Sequence, residues 1–550
     1  MKRNALYLIS NLLFILLITS CSNINKDKIG SGINEGEMKE WISIIASDDF
    51  QGRFPGTVGE EKTANYLAEQ FEKVGAKPGN ANSYFQEVPL IQIANDQKMQ
   101  LKVRGAKGAK TFDYLKDFIG GTPQPKEKTE LKDLDIVFAG FGINAPEFGW
   151  NDYAGEDVKG KIVLVLVNDP GFYDSTLFNG KNMTYYGRWI YKYEEAARQG
   201  AAGVILIHET EPASYPWSVV QNSWAGARFY LANNIVTKSG LEFQSWIENE
   251  AAHKLFETSD LPYDVAIASA SKRGFKATPL NLKASVSFTN NVKNIKSKNI
   301  VALIPGSEHP EEVIVYTAHW DHFGINPSFK GDSILNGALD NATGTAGLIA
   351  IAKAFANQPE RPKRSVLFIA TTCEEQGLLG SQFYAENPIY LLNKTIALIN
   401  MDVLNVFGKT KDMTISGYGF SELDNYAIEV LKSHNRVEKF DKNQTSGGYY
   451  RSDHFSFSKV GVPSINLTLG SNFIDTSKIE TIKGNRKKIF ETYHKPSDNY
   501  DPSIWAFDGM VDDLNVYFEL GYKLSLTDKY PNWREGIIYK AKRDEMMKNN

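Results

Sequence analysis

Three short apolar runs in the C-terminal half of the chain each end in side chains that bind protons or metals. Residues 313–316 precede His319-Trp-Asp-His322, residues 365–370 precede Cys373-Glu-Glu375, and residues 396–399 precede Asn400-Met-Asp402. Such runs alternate with amphipathic helical patterns, as at residues 344–356, which predicts a doubly wound, mostly parallel α/β sheet with helices on both faces. Ligands bind at the carboxyl ends of such strands, so the three polar clusters should converge at one edge.

A fourth acidic group, Asp340, lies in Gly337-Ala-Leu-Asp-Asn-Ala-Thr-Gly344, where the helical pattern begins. Taken singly, each group has an ordinary explanation: a solvated glutamate pair, a structural histidine, or an aspartate favoured by the helix dipole. Taken together, histidines and carboxylates suit zinc or another divalent first-row ion. Several carboxylates around one site also need positive charge, and two metal ions would supply it.

Length and charge exclude several classes of protein. A chain of 550 residues exceeds one ordinary core, which predicts two domains or one domain with a large insertion. Lys and Arg total 61 against 65 Asp and Glu, and this balance argues against a nucleic-acid partner. Two cysteines without a CxxC exclude a disulfide framework and a zinc ribbon, and the absence of GxSxG argues against a serine hydrolase.

The N-terminus has the pattern of a targeting signal. Lys2 and Arg3 precede a short apolar stretch at residues 12–18, and the sequence Ile18-Thr19-Ser20-Cys21 resembles a bacterial lipobox. That resemblance implies cleavage before Cys21 and lipid attachment, followed by a polar linker to residue 36. We therefore expect a lipid-anchored protein of the cell envelope, on the outer-membrane or periplasmic side.

Local patterns outside the strand ends give further predictions. Residues 37–75 are predicted to be helical, with a capping box from Thr57 to Glu60 and Gly75 as the C-terminal cap. Residues 105–275 alternate short strands with turns, including strands at 135–139, 161–167 and 203–207 and a helix that ends near residue 200. Strands are also expected at 281–289 and 299–304.

The motifs occur together in the order of a known family. They are Thr317-Ala-His-Trp-Asp-His-Phe-Gly324, Gly337-Ala-Leu-Asp-Asn341, Cys373-Glu-Glu-Gln-Gly377, Asn400-Met-Asp402 and Tyr493-His-Lys-Pro-Ser-Asp498, with Gly52-Arg-Phe-Pro-Gly-Thr-Val-Gly-Glu60 upstream. The sequence resembles the zinc-dependent exopeptidases of peptidase family M28, which include bacterial aminopeptidases and glutamate carboxypeptidase II. The match covers most of residues 40–525.

The resemblance implies a role for each matching residue. One zinc ion is expected on His319, Asp340 and Asp402, and a second on Asp340, Glu375 and His494, with Asp340 bridging. Asp321 is expected to orient His319, as ligating histidines commonly require. Glu374 is the expected general base toward a metal-bound water. Tyr493 resembles the family's tyrosine that hydrogen-bonds the tetrahedral intermediate.

The segment Arg451-Ser-Asp-His454 offers an alternative histidine ligand. His494 is preferred because Tyr-His-Xaa-Pro-Xaa-Asp is the ligand context of the family, which leaves His454 to line or support the substrate pocket. Tyr449, Tyr450 and Asp453 are further candidates for that pocket, within a loop that follows Gly447-Gly448.

Residues 158–165 and 196–205 resemble a protease-associated (PA) domain, a β-rich α+β insertion that flanks the active site in relatives. The resulting division is a signal peptide at 1–20, a lipid-anchored linker at 21–36 and the N-terminal part of the catalytic domain at 37–104. The insertion is placed at 105–278, the main catalytic domain at 279–530 and a charged tail at 531–550.

We therefore predict a dizinc metallo-exopeptidase that releases N-terminal residues from peptides. A carboxypeptidase, a glutaminyl cyclase and a non-catalytic binding protein, as the transferrin receptor is, remain alternatives within the family. A metallo-β-lactamase fold is disfavoured, because Thr317 stands where its HxHxDH motif begins and Glu374 and Glu375 would have no role.

Overall fold

A computed structural model of the chain describes residues 30–548. The predicted signal peptide, the lipid-attachment residue Cys21 and most of the linker lie outside the described residues. Within the described range, no helix combines the length and the apolar character needed to cross a bilayer.

The N-terminal segment forms two helices rather than one continuous helical region. The elements are α1 (Glu35–Ile45), a 3-10 turn (Asp48–Arg53), α2 (Val58–Lys73), β1 (Lys77–Pro78) and β2 (Phe85–Asn95). The break comes at Gln51 and Gly52, which both have positive φ. A Cβ on Gly52 would lie 2.3 Å from the carbonyl oxygen of Leu335, so the turn requires glycine.

The predicted capping box is wrong. The Thr57 hydroxyl donates to the Phe54 carbonyl, and the Glu60 carboxylate turns away to accept hydrogen bonds from the Gly56 N–H and the Ser297 hydroxyl. Glu60 is buried, and it bonds to Ser297, which is distant in sequence, instead of capping the first turn of α2. Gly75 follows α2 with φ of 90°, as predicted for the C-terminal glycine.

The middle segment contains a second sheet with helices around it. Its elements are β3 (Gln100–Gly105), β4 (Gly108–Asp113), β5 (Phe118–Gly121), β6 (Lys128–Phe138), β7 (Asn144–Ala145), β8 (Trp150–Asn151), β9 (Ile162–Leu166), α3 (Trp189–Arg198), β10 (Gly203–Ile207), α4 (Thr210–Ala213), α5 (Trp217–Trp224), β11 (Arg228–Leu231), α6 (Ile235–Lys238), β12 (Phe243–Ile247), α7 (Asn249–Phe256) and α8 (Tyr263–Ala270). Strands β6, β9, β10 and β12 are parallel, and β5 is antiparallel to β12.

One long strand, β13 (Thr278–Ile304), connects this second sheet to the rest of the molecule. Its first half pairs with β6 and β3, and its second half pairs with β2 and β1. The predicted strands at 281–289 and 299–304 are therefore parts of one strand. The residues between the two predicted strands are mostly polar, so the sequence pattern gave no sign of a strand there. In the structure these residues pair with β2 along their whole length.

The C-terminal segment provides the main sheet. Its elements are β14 (His309–His319), β15 (Gly324–Ile325), β16 (Ile334–Leu335), α9 (Thr343–Ala356), β17 (Arg364–Thr371), α10 (Leu379–Glu386), β18 (Thr395–Asn400), β19 (Asp412–Ser416), α11 (Leu423–Ser433), β20 (Val437–Phe440), α12 (His454–Lys459), β21 (Ser464–Thr468), α13 (Ile479–Phe490), α14 (Phe507–Leu526) and α15 (Lys540–Met547). The central strands β17, β14, β18 and β21 are parallel, and antiparallel β13 and β19 flank them.

Helices cover both faces of this sheet, as the alternation of strands and helices predicted. Along β14, Ile314, Tyr316 and Ala318 pack into the core on the side of α9 and α14, whereas Val313 and Val315 pack into a separate core with Tyr384 of α10. The fold is thus mixed α/β around a parallel core. In the pairing register, His319 lies beside Thr371 and Thr317 beside Asn400, so β14, β17 and β18 end at one edge.

Candidate metal centre

The edge where β14, β17 and β18 end brings the five predicted metal ligands together. His319 Nε2 lies 3.1 Å from Asp340 Oδ1 and 3.5 Å from Asp402 Oδ1. His494 Nε2 lies 3.3 Å from Asp340 Oδ2 and 3.3 Å from Glu375 Oε2. The two groups share Asp340, which offers one carboxylate oxygen to each histidine.

The donor set fits a divalent cation. His319, Asp340 and Asp402 each place a ligand atom within 4.8 Å of the others, a spacing that one ion can bridge. His494 Nε2 and Glu375 Oε1 are buried and have no hydrogen-bond partner among residues 30–548. Buried polar atoms of this kind normally have partners, and a metal ion would satisfy them.

The electrostatics of the cluster also favour a cation. Burial by itself lowers the pKa of His494, but the charges of Glu375 and Asp340 outweigh it and raise the pKa to about 10. Burial likewise opposes the protonation of His319, yet Glu374, Asp340 and Asp402 hold its pKa well above the usual value. The negative charge that raises the pKa of these histidines would also favour the binding of metal ions.

The neighbouring glutamates Glu374 and Glu375 differ in protonation. Burial raises the pKa of Glu374 well above its usual value, and Asp402 and Glu375 add to that rise against the opposing charge of His319. For Glu375, the nearby imidazoles of His494 and His322 outweigh both burial and the charge of Asp340, and its pKa falls to about 2. One glutamate is thus held ionised for a ligand role, and the other readily accepts a proton.

His322 is a site residue whose role the sequence analysis missed. It is fully buried, and its Nδ1 lies 2.8 Å from Glu375 Oε1. His322 also forms a group with Asp340 and Glu375 whose atoms lie close enough to hold a metal ion. The available signal was its position three residues after His319, just beyond the strand end.

Asp321 lies next to the His319 imidazole, with its Oδ1 3.9 Å from His319 Nδ1. Its backbone carbonyl is 3.2 Å from His319 Nδ1, and its Oδ1 accepts a hydrogen bond of 3.0 Å from the Glu374 N–H. Burial raises the pKa of Asp321 to about 7. The residue therefore connects the loop after β14 to the loop after β17.

Arg53 holds the loops around the cluster in place. Its buried guanidinium donates to the carbonyl oxygens of Trp320, Ile45, Asn336 and Gly337. Burial lowers the pKa of Arg53 to about 10, although Asp498 and other acidic neighbours favour its charge. The side chain thus joins the loop that follows His319 to the loop that precedes Asp340. The sequence motif contained Arg53, but nothing local indicated its partners.

Asp498, from the last motif, positions Asp340 directly. Its Oδ1 accepts a hydrogen bond from the Leu339 N–H at 3.1 Å, and its Oδ2 accepts one from the Asp340 N–H at 3.3 Å. The motif that contributes His494 therefore also orders the backbone of the shared aspartate.

The predicted pocket residues occupy different positions. The Tyr493 ring is half exposed and stacks on His494 with centroids 3.7 Å apart. Tyr450 lines the cavity beside the cluster. Tyr449 and His454 are buried and pack against each other, with ring centroids 4.6 Å apart. Asp453 is buried and accepts a hydrogen bond from Thr371 at the end of β17.

A cavity of about 550 Å³ opens beside Glu374, Glu375 and His494. One wall comes from the segment that runs from the start of α3 to β12, including Trp189, Tyr215 and Trp224, and the other comes from loops of the main sheet. Four aromatic residues of the predicted insertion line this cavity, namely Trp189, Tyr215, Trp224 and Trp246, whereas Phe229 and Tyr230 lie buried in β11. Both sheets therefore contribute to the space a ligand would occupy.

Comparisons with known proteins agree with this geometry. Residues 299–518 match the model of peptidase family M28, and residues 134–229 match that of the PA domain. Aminopeptidase NAALADL1 of Mus musculus is 26% identical over 249 residues, 40% of this chain and 30% of that protein. A glutamate carboxypeptidase 2 homolog of Caenorhabditis briggsae is 24% identical over 70% of this chain and 53% of that protein.

Aminopeptidase YwaD of Bacillus subtilis is 29% identical over 41% of this chain and 43% of that protein. The chain thus spans about half or less of the length of these curated relatives. Among solved structures, an aminopeptidase from Aneurinibacillus sp. strain AM-1 superposes with a TM-score of 0.50 over 90% of this chain and 95% of that one, at 17% identity, which supports the fold. The chain is therefore similar to peptidase family M28 over residues 299–518 and to the PA domain over residues 134–229.

Proposed function

We propose that this protein is a zinc-dependent exopeptidase, and specifically an aminopeptidase that releases N-terminal residues from peptides. The observation that carries the proposal is the pair of histidine–carboxylate groups joined through Asp340, with Glu374 beside them and a cavity of peptide size in front. The relatives named as aminopeptidases support the same activity.

Two zinc ions per chain would fit this donor set. His319, Asp340 and Asp402 would hold one, and Asp340, Glu375 and His494 the other. When bound, zinc acts as a Lewis acid that polarises the scissile carbonyl and makes water a stronger acid. Asp340 would belong to both ligand sets, since its two carboxylate oxygens face different histidines.

The residues of the chain would carry the proton transfers. Glu374, whose pKa burial and neighbouring carboxylates raise, takes a proton from the attacking water and passes it to the leaving amine. Asp321 fixes the Glu374 backbone through the 3.0 Å hydrogen bond from its N–H. The Tyr493 hydroxyl would donate a hydrogen bond to the oxygen of the scissile carbonyl as negative charge develops on that oxygen. Glu374 and Asp402 supply negative charge for the substrate's α-amine.

A panel of aminoacyl p-nitroanilides tests the activity. Protein lacking residues 1–21 would be assayed as purified, after chelation, and after zinc is restored, beside Glu374→Ala. We expect release of p-nitroaniline that chelator abolishes, zinc restores and the variant lacks. Release that chelator leaves unchanged would overturn the zinc mechanism, and no release by zinc-loaded protein would favour a carboxypeptidase or a glutaminyl cyclase.

We also propose that Cys21 carries a lipid anchor, so that the protein acts on peptides at the cell envelope. The support is the sequence pattern Ile18-Thr19-Ser20-Cys21 after a short apolar stretch. Expression in a bacterial host with radiolabelled palmitate, followed by membrane fractionation, tests this. Label in the membrane fraction should disappear with Cys21→Ser, and a soluble, unlabelled wild-type protein would refute the anchor.

A further inference from the structure

Helix α13 presents an exposed basic face. Its buried residues Ile482 and Ile489 are seven positions apart, so one side of the helix packs on the protein and the opposite side faces solvent. The Lys483 and Lys487 side chains are 66% and 80% exposed, and Lys488 is exposed as well. An apolar inner face combined with a basic outer face is typical of a helix that lies on a negatively charged surface.

The charge of this region differs from that of the whole protein. Residues 471–495 contain six Lys and Arg residues against three Asp and Glu, although the full chain has a net charge of −4. Three of the cations form ion pairs within the segment: Lys478 with Asp475, Lys483 with Glu480, and Lys487 with Glu491. These pairs are exposed, and exposed ion pairs contribute little energy, so the region can still attract external anions.

Two large apolar side chains project into solvent among these cations. Ile474 is 51% exposed and Phe490 is 41% exposed. Both lie beside Phe407: the Phe490 ring centroid is 5.9 Å from that of Phe407, and Ile474 lines a cavity of about 230 Å³ together with Phe407. The Arg486 guanidinium lies 5.6 Å from the centroids of both rings. The apolar and basic groups therefore form one continuous surface.

The first described residues of the chain lie close to this surface. Asp508, at the start of α14, lines the same cavity as Ile474. Asn515 is seven residues further along α14, so it lies on the same face of that helix, about 10 Å away. The Ser31 hydroxyl donates a hydrogen bond to the Asn515 side chain, and Gly30 is its neighbour in the chain.

The proposed lipid anchor would therefore hold this side of the protein near a bilayer. Cys21 and Gly30 are nine residues apart, and nine residues can span at most about 30 Å. A bilayer that held the acyl chains of Cys21 would lie within that distance of Gly30, on the side where α13 presents its cations.

We propose that α13, together with Ile474 and Phe490, docks on an anionic phospholipid bilayer. The lysines of α13 would lie over the lipid phosphates, and the two apolar side chains would enter the headgroup region. A soluble polyanion would use the lysines alone and leave Ile474 and Phe490 in water, so the combination favours a membrane. Docking would fix the orientation of the protein on the membrane, whereas a lipid tether limits only its distance.

Sedimentation with lipid vesicles tests the surface without the anchor. Protein lacking residues 1–21 retains every residue that the structure describes. We expect it to bind phosphatidylcholine vesicles that contain phosphatidylglycerol, more weakly as the salt concentration rises, and not to bind vesicles of phosphatidylcholine alone. Lys483→Gln, Lys487→Gln and Lys488→Gln together should lower the partition coefficient by about 100-fold. Equal binding to both kinds of vesicle, or binding that the triple variant leaves unchanged, would overturn the proposal.

A second basic patch provides a matched control. Lys272, Arg273 and Lys276 follow α8 in the predicted insertion and are exposed, and Val265 of α8 is 52% exposed. Replacing these three cations with Gln removes the same charge as the α13 variant but should leave vesicle binding at the wild-type value. An equal loss of binding would show that only net charge matters and would overturn the proposal. Thermal unfolding followed by circular dichroism establishes that each variant is folded.

A fluorescent label tests whether the apolar side chains enter the membrane. Without residues 1–21 the protein has one cysteine, Cys373, which is buried, so Phe490→Cys can be labelled selectively with an environment-sensitive nitrobenzoxadiazole dye. We expect a blue shift and stronger emission on phosphatidylglycerol vesicles, and no change for the same label at Val265→Cys. An unchanged spectrum at residue 490 would overturn the docking surface. Neither assay requires hydrolysis or the lipid anchor, so each proposal can fail without the others.

Discussion

Glu374 and Glu375 are neighbours in sequence but face different imidazoles. Glu375 Oε2 lies 3.3 Å from His494 Nε2, whereas Glu374 Oε2 lies 4.0 Å from His319 Nε2. The strand β17 ends just before this pair, so the backbone directs the two side chains to different parts of the cluster. The separation explains how adjacent carboxylates can serve as ligand and as base.

Substitution of the two glutamates should therefore have different consequences. We expect Glu374→Gln to retain its zinc and to lose roughly 10²- to 10⁴-fold in kcat, because only the proton acceptor is removed. Glu375→Gln should lose activity together with zinc at the His494 position. Metal analysis beside steady-state kinetics measures both, and loss of zinc from Glu374→Gln would contradict this division of roles.

The position of Asp340 between His319 and His494 predicts how the zinc content would change when each proposed ligand is substituted. Wild-type protein should hold two zinc ions per chain, His319→Ala and His494→Ala about one each, and Asp340→Asn fewer than either. Inductively coupled plasma mass spectrometry of dialysed protein gives the ratios. A wild-type content of one ion, unchanged in His494→Ala, would refute the second zinc position.

Zinc binding should release protons at neutral pH. In the metal-free protein the pKa of His494 is about 10, so the imidazole is protonated at pH 7, whereas a zinc ligand must be neutral. We expect roughly one to two protons released per chain at pH 7, and fewer as the pH approaches 10. Calorimetric titration in buffers of different ionisation enthalpy measures the number, and an enthalpy independent of the buffer would contradict it.

His322 should influence zinc affinity through Glu375. Its Nδ1 lies 2.8 Å from Glu375 Oε1, the type of contact that orients a ligating carboxylate. We expect His322→Gln to weaken zinc binding by about 10- to 100-fold while the circular dichroism spectrum stays unchanged. Competition with a fluorescent chelator measures the affinity. The exposed His253→Gln is the matched control and should leave the zinc affinity at the wild-type value, because His253 belongs to none of the candidate metal-holding groups among the described residues.

Arg53 should be important for stability as well as for the site. Its removal leaves buried carbonyl oxygens of two loops without their donor, so Arg53→Met should lower the free energy of unfolding by about 3 kcal/mol. Urea unfolding followed by tryptophan fluorescence measures the change. Arg104→Met, which removes an exposed ion pair with Asp133, should change it by less than about 1 kcal/mol. If the two substitutions lowered the free energy of unfolding equally, Arg53 would not hold the two loops together as proposed.

Residues at strand ends were predictable because their positions follow from local patterns. The apolar runs before His319, Glu374 and Asp402 identify buried strands, and parallel strands end at one edge. His322 was not predictable, because its contact with Glu375 depends on how two loops pack. The capping box at Thr57 failed for a related reason: Glu60 has the right spacing, but a buried partner, Ser297, is available in the folded protein.

The sequence by itself determined the α/β class and the order of the ligand-bearing strand ends, since periodicity and motif spacing are local properties. The insertion was indicated by its resemblance to a PA domain. Only the tertiary structure decided that β13 runs unbroken through both sheets and that Arg53 joins loops more than 250 residues away. Those contacts join segments that are distant along the chain. Their energy comes from burial and charge pairing that exist only once the two sheets have packed.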